Sequence, residues 1–202
     1  MLKQLRPAIV ITVLFTVLTG LIYPLVITGI SQAAMSNAAN GSQIIVNGTV
    51  VGSSLIGQNF TKDSYFHSRP SATQAQDPAH PDDPSKTVDA PYNADNSTGS
   101  NLGPTSQKLV DRVKADIDAK HQAGIAGAMP ADSVTTSASG LDPDISPEYA
   151  LAQVPVVAKA RNLPEDKVKE LVDAHIEGRA LGIFGEPKVN VLALNMALDD
   201  VK

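Results

Sequence analysis

Between Pro7 and Ile30 the chain runs 24 residues without a charge, and most of them are aliphatic. A helix of that length covers roughly 36 Å at about 1.5 Å per residue, against a hydrocarbon core roughly 30 Å thick. In lipid the backbone must satisfy its own hydrogen bonds, so a run like this spans as a helix. Pro7 suits a first helical turn, where its missing N–H costs nothing. Pro24 is expected to kink or end the helix near its far side, with Tyr23 beside it at interfacial depth. Lys3 and Arg6 precede the run, and no further charge occurs before Lys62. By the positive-inside rule the N-terminus stays in the cytoplasm and the remainder lies outside. This predicts a cytoplasmic tail over 1–6, a transmembrane helix over 7–34 and an extracytoplasmic domain over 35–202. A cleaved signal peptide would share the positive flank and the small residues at Ala33 and Ala34. Its apolar core is usually about 7–15 residues, shorter than this run.

The rest of the chain is acidic. After Arg6 there are 14 basic and 21 acidic residues, a net charge of −7, which gives no general attraction for nucleic acid or anionic lipid. Cysteine is absent, so disulfides, thiolate metal sites and cysteine nucleophiles are excluded. Aromatic residues are scarce and tryptophan is absent; the core is expected to rest on Val, Leu, Ile and Ala.

Periodicity and turn chemistry predict one α+β domain. Ser36–Ser42 reads as a linker. Asn47-Gly48 between two β-branched runs predicts a hairpin over Gln43–Gly52, and Ser54–Gln58 a further short strand. Ser68–Ser106 is rich in Pro, Ser, Thr, Asp and Asn and reads as a long loop or disorder. Leu109, Val110, Val113 and Ile117 mark one face of a helix capped by Thr105, with Arg112, Asp116 and Lys120 among the charges on its other face. Gln122–Gly140 is a second connector. Ser146-Pro147-Glu148 opens a helix that Pro155 bends or stops. Pro164-Glu165-Asp166 opens another, with a stripe of Val168, Leu171, Val172, His175 and Ile176 ending at Gly178. Val189–Leu194 reads as a strand, with a short helix after it.

Several catalytic signatures are missing. No Walker loop ends in Gly-Lys-Ser/Thr, no Asp-Lys-Thr-Gly-Thr phosphorylation site occurs, and Gly48–Gly52 only superficially echoes a potassium filter. Gly178–Pro187 is glycine-rich without the dinucleotide spacing, and reads as a helix stop and turns. His67, His80, His121 and His175 show no close ligand spacing. His175 is expected to pack on an apolar face, and His80 to sit in a solvated loop. Asp77, Asp82, Asp83, Asp142 and Asp144 lack the EF-hand order and read as turn residues. No catalytic or metal-ligating residue is assigned, and cofactor-binding residues are not identified. A membrane-anchored hydrolase using His67 and a nearby serine is the alternative from another class, although no Gly-x-Ser-x-Gly elbow supports it.

Four blocks carry a resemblance. Arg6-Pro7-Ala8 enters the apolar run, which contains Thr19-Gly20 and Tyr23-Pro24. Gly52–Gln58 leads to Tyr65-Phe66-His67-Ser68-Arg69-Pro70-Ser71. Tyr92-Asn93-Ala94 precedes Ser97–Pro104. Ser137–Ser146 runs on to Ala150, completed by His175, Gly185-Glu186-Pro187 and Val189–Leu192. In this order they resemble the C subunit of the bacterial Kdp-type potassium-transporting ATPase over nearly the whole chain. That resemblance implies a non-catalytic inner-membrane subunit of an ATP-driven potassium importer. Its implied partners are a channel-like potassium-binding subunit, a P-type ATPase subunit, a small single-span subunit and membrane lipid. It also implies a catalytic-chaperone role that raises the ATP affinity of the ATPase subunit, or a position over the potassium entrance. ATP is implied for the complex, and no cofactor is assigned to this chain.

Overall fold

The computed structural model describes residues 2–201 and divides into two compact units, one reaching Ser53 and the other beginning at Ser54. In the first, α1 (Leu2–Val17), a π-helical stretch (Leu18–Ile22) and α2 (Tyr23–Ala34) form one continuous helix. Over Lys3–Ala34 it has 32 residues, and its most apolar 18-residue stretch has a mean hydropathy of 2.4, so it is long and apolar enough to cross a membrane. It starts earlier than expected, so Pro7 lies inside α1. Pro24 neither ends nor breaks the helix. Pro24 has no N–H for the carbonyl of Gly20, and just before it the ladder widens, with the Tyr23 N–H bonded to the Leu18 carbonyl. A π-turn is a common way for a helix to absorb such a mismatch. The hydroxyls of Thr16 and Thr19 donate to the carbonyls of Thr12 and Phe15, at 2.8 and 2.6 Å, which satisfies them within their own helix.

The expected linker contains one helical turn, α3 (Ser36–Ala39). Strands β1 (Gln43–Val46) and β2 (Thr49–Ser53) then pair antiparallel. Asn47 and Gly48 close the hairpin with φ of 51° and 78°, the two positive values that a type I′ turn demands.

In the second unit, α6 (Pro147–Arg161), α7 (Glu165–Ala174) and α8 (Val191–Asp199) pack around a small antiparallel sheet. Its strand order is β5 (Asp144–Ile145), β7 (Lys188–Asn190), β6 (Ile176–Glu177). Aliphatic side chains dominate the core as expected: Val157, Val168, Val172, Val189, Val191, Leu194 and Leu198. The two largest fully buried side chains are nevertheless aromatic, Tyr149 and Phe66.

Ser146 caps α6 through its hydroxyl, which accepts from the Tyr149 N–H at 3.1 Å. Pro155 does not interrupt this helix. It sits on the exposed side, opposite Val154, Val157 and Ala158, where water can reach the carbonyl its ring leaves without a donor. Asn162, with φ of 55°, ends the helix in the left-handed conformation. α7 stops four residues before Gly178: His175 is its C-cap and Ile176 has already entered β6. The expected strand Val189–Leu194 is only β7 at its start. Asn190 accepts from the Ala193 N–H at 3.0 Å and turns the chain into α8, so a cap overrides β-branched propensity.

Ser54–Gln58 forms a turn with an isolated bridge rather than a strand. The Ser68–Ser106 segment is largely loop, and contains the antiparallel pair β3 (Gln74–Gln76) and β4 (Thr87–Asp89). α4 (Gln107–Gln122) begins after Ser106, not Thr105. Its half-buried face holds Leu109, Val113 and Ile117 but also Arg112, Asp116 and Lys120, while Val110 is exposed. The second connector contains one short helix, α5 (Ala131–Val134).

Candidate functional site

Three of the segments singled out in the sequence, Tyr65–Ser71, Tyr92–Ala94 and Ser137–Ser146, meet in one polar knot in the second unit. Phe66 and His67 lie between two buried side-chain amides. The Phe66 N–H donates to Asn195 Oδ1 at 2.8 Å, and Asn195 Nδ2 donates back to the Phe66 carbonyl at 2.9 Å. Gln153 repeats the pattern one residue on, at 2.7 Å from the His67 N–H and 3.2 Å to its carbonyl. Asn195 and Gln153 are 2 % and 3 % exposed. Each amide supplies the donor and acceptor that a neighbouring strand would otherwise provide.

Arg69 ties this segment to the Ser137–Ser146 block. Its Nη1 bonds Asp142 Oδ2 at 2.9 Å, and its Nη2 reaches the carbonyls of Thr135 and Thr136 at 3.5 and 3.4 Å. Tyr92 donates to the Arg69 carbonyl at 2.9 Å; burial pushes its hydroxyl up to about 12. Ser71 donates to the Gly140 carbonyl at 2.8 Å and accepts from the Tyr92 N–H at 3.0 Å. Two glycines allow these approaches. A Cβ on Gly57 would lie 2.5 Å from Tyr92 Cε1 and 2.6 Å from the Asp142 carbonyl oxygen. One on Gly140, whose φ is +68°, would lie 2.5 Å from Thr73 Cγ2 and 2.7 Å from the Thr98 carbonyl oxygen.

Behind this knot a cavity of about 160 Å³ is lined by Asp63, Tyr65, His67 and Lys120 among others. Lys120 Nζ donates to Tyr149 Oη at 2.6 Å. Burial lowers the Lys120 pKa, partly offset by Asp116, and raises that of Tyr149. Asp116 is pushed up by burial, against the pull of Arg112 and Lys120. His67 is lowered chiefly by burial, opposed by its bond to Lys62. That bond, 3.2 Å from Nε2 to a carbonyl oxygen, puts the ring proton on Nε2. Ser68 donates instead to the Gln58 carbonyl at 2.9 Å, and Ser71 to Gly140. Among the described residues His67 therefore is not seen joined to a serine in the manner of a hydrolase's Ser/His pair.

The other histidines are scattered. His80 Nδ1 meets Asp77 Oδ2 at 2.7 Å in an exposed turn, and this bond lowers the Asp77 pKa. His121 Nδ1 lies 3.0 Å from the Ile125 carbonyl, and His175 Nδ1 lies 2.8 Å from that of Leu171, both near helix ends. His175 is half-buried, at a cap rather than on an apolar helix face. Asp83 is held below its usual range by Ser85. Asp142 and Asp144 instead line a wide cleft of about 650 Å³ with Asp132, Glu148, Glu186, Arg69 and Lys188. Among the described residues no three of His, Cys, Asp or Glu gather as metal ligands. Gln153 and Asn195 were not anticipated as organising residues; the visible signal was a polar residue inside each apolar helical stripe.

Comparison with known proteins places the chain in a family. Residues 5–200 match the family model described as the K+-transporting ATPase, c chain. A potassium-transporting ATPase KdpC subunit from Bradyrhizobium diazoefficiens is 59 % identical over 199 residues, covering 98 % of both chains. KdpC subunits from Rhodopseudomonas palustris strain BisB5 and Methylorubrum extorquens are also 59 % identical, over 98 % and 100 % of this chain and 98 % of each relative. The matches cover both units, the apolar helix included, and the chain belongs to the KdpC family of potassium-transporting ATPase subunits.

Proposed function

We propose that this chain is a non-catalytic, single-span subunit of an ATP-driven potassium importer in the bacterial inner membrane. Residues 1–6 face the cytoplasm, 7–34 cross the bilayer, and 35–202 lie outside. There the domain supports assembly and covers the potassium entrance. Its partners are a channel-like potassium-binding subunit, a P-type ATPase subunit and a small single-span subunit, with lipid around the helix. The observation that carries this reading is the match to a c-chain family over both units, in a chain whose Lys3 and Arg6 flank the apolar helix on its N-terminal side.

A domain outside the membrane cannot touch cytoplasmic ATP. Any catalytic-chaperone effect on ATP affinity is then indirect coupling through the membrane subunits, and by linkage ATP would strengthen this chain's association by the same factor. The net −7 of the domain and the carboxylates of its wide cleft favour cations nearby. The test is potassium-stimulated ATPase activity of the purified complex with Glu148→Gln and Glu186→Gln. A raised potassium requirement at low ionic strength, with unchanged activity at saturating potassium, supports the electrostatic part. An unchanged requirement removes it.

A further inference from the structure

The glycine-rich segment between β6 and β7 folds into a tight, apolar-tipped turn. Ala180 and Phe184 bridge antiparallel, with N–H to carbonyl bonds of 2.9 Å in both directions. The tip between them carries large apolar side chains: Leu181 is 89 % exposed, Ile183 72 % and Phe184 65 %. Leu181 and Gly182 have φ of 55° and 75°. A bulky leucine in the left-handed region is an uncommon, strained arrangement, and here the conformation directs the residue outward, where it buries little of itself. At the base, Arg179 Nη2 bonds Glu186 Oε2 at 2.6 Å, while Lys188 Nζ meets Asp144 at 2.6 Å and Glu177 at 3.6 Å. The result is a projecting knob with an apolar tip and a collar of ion pairs.

We infer that this knob is an anchor for assembly, seated in a recess lined by aliphatic and aromatic side chains on another subunit of the transporter; the inference rests on the subunit reading above. An apolar tip within a polar rim is the anatomy of an interface hot spot. The competing occupant is a bilayer surface. The knob belongs to a unit of net charge −7, and its nearby basic groups are already paired with carboxylates. Such a surface is repelled by anionic headgroups rather than drawn to them. Folding does not explain the tip either, because its three side chains remain largely outside the core.

The test uses the full chain, affinity-tagged and co-expressed with the other subunits of its transporter. Leu181→Gln combined with Phe184→Gln leaves Gly182 and Gly185 in place and should leave the urea midpoint of the detergent-solubilised chain unchanged. Co-purification of the other subunits should fall roughly tenfold or more, and Phe184→Leu should retain it. A photo-crosslinking residue in place of Ile183 should yield an adduct with another subunit. Normal co-purification of the double variant, or adducts with lipid alone, would overturn the knob while leaving the subunit reading intact. Failure of the unaltered chain to co-purify any subunit would overturn both.

Discussion

Asn195→Ala should be among the most damaging single changes in the second unit. The side chain is buried and holds both backbone polar groups of Phe66, at 2.8 and 2.9 Å. Truncation leaves the N–H and the carbonyl beside a fully buried Phe66 without their partner. Each unsatisfied group costs about 1–3 kcal/mol, and the small cavity adds to this. A total near 3–5 kcal/mol is expected, a large fraction of a typical domain's stability. Asn96→Ala is the control, since its amide also donates to a carbonyl, that of Gln74 at 2.9 Å, but on the exposed surface; it should cost less than about 1 kcal/mol. The assay is urea unfolding of the full chain in detergent, followed by far-UV circular dichroism over the constant background of the apolar helix. With a slope of about 2 kcal/mol/M, Asn195→Ala should lower the midpoint by about 1.5–2.5 M. A shift as small as the control's would refute the idea that side-chain amides replace a missing strand.

Three further outcomes use the same assay. Gly57→Ala should cost about 1–3 kcal/mol, because its Cβ meets Tyr92 and the Asp142 backbone at 2.5 and 2.6 Å, whereas Gly178→Ala, with nothing within 4 Å, should stay within about 0.5 kcal/mol; equal effects would contradict the packing argument. Pro155→Ala should stabilise α6 by about 1–3 kcal/mol, since it restores a donor on an exposed face with little packing to lose; a lower midpoint would contradict this. His67 has a folded pKa below its unfolded value near 6.5, so the unfolded chain takes up the proton first as pH falls. Its contribution is fully present above that value and is lost as pH drops toward the folded pKa; His67→Gln should flatten the midpoint–pH curve below about pH 6.5, and an unchanged slope would assign it to other groups.

What was legible in the sequence was whatever local chemistry decides. The apolar run, the Asn47-Gly48 turn and the Ser146 cap depend on a few adjacent residues. The misreadings are places where a neighbour in space or a competing local device prevailed. Val189–Leu194 looked like a strand because Asn190 was not read as a helix cap. Pro155 reads as a bend or a stop because its exposed placement depends on which face of α6 is buried. Ser68–Ser106 reads as a long loop or disorder and is largely loop, but Ser71, Thr73, Asn93 and Tyr92 hold it through side chain-to-backbone bonds that composition does not reveal. Arg112, Asp116 and Lys120 were read as a solvated face, yet Lys120 reaches inward to Tyr149. The knot itself was visible as blocks of unusual sequence; its geometry was not, because Gln153 and Asn195 lie far along the chain from the segment they hold.

The proposed role requires the acidic domain to lie outside the cytoplasm. The chain has no cysteine, so single cysteines at Ser36 and at Asp82, both exposed, can be probed with an impermeant thiol reagent on cells stripped of outer barriers. Repeating the measurement without the other subunits removes shielding by a partner. Labelling of Asp82→Cys on intact cells is the predicted result, and it would make direct contact between this domain and cytoplasmic ATP untenable. Labelling only after lysis would put the domain beside the nucleotide and contradict the account.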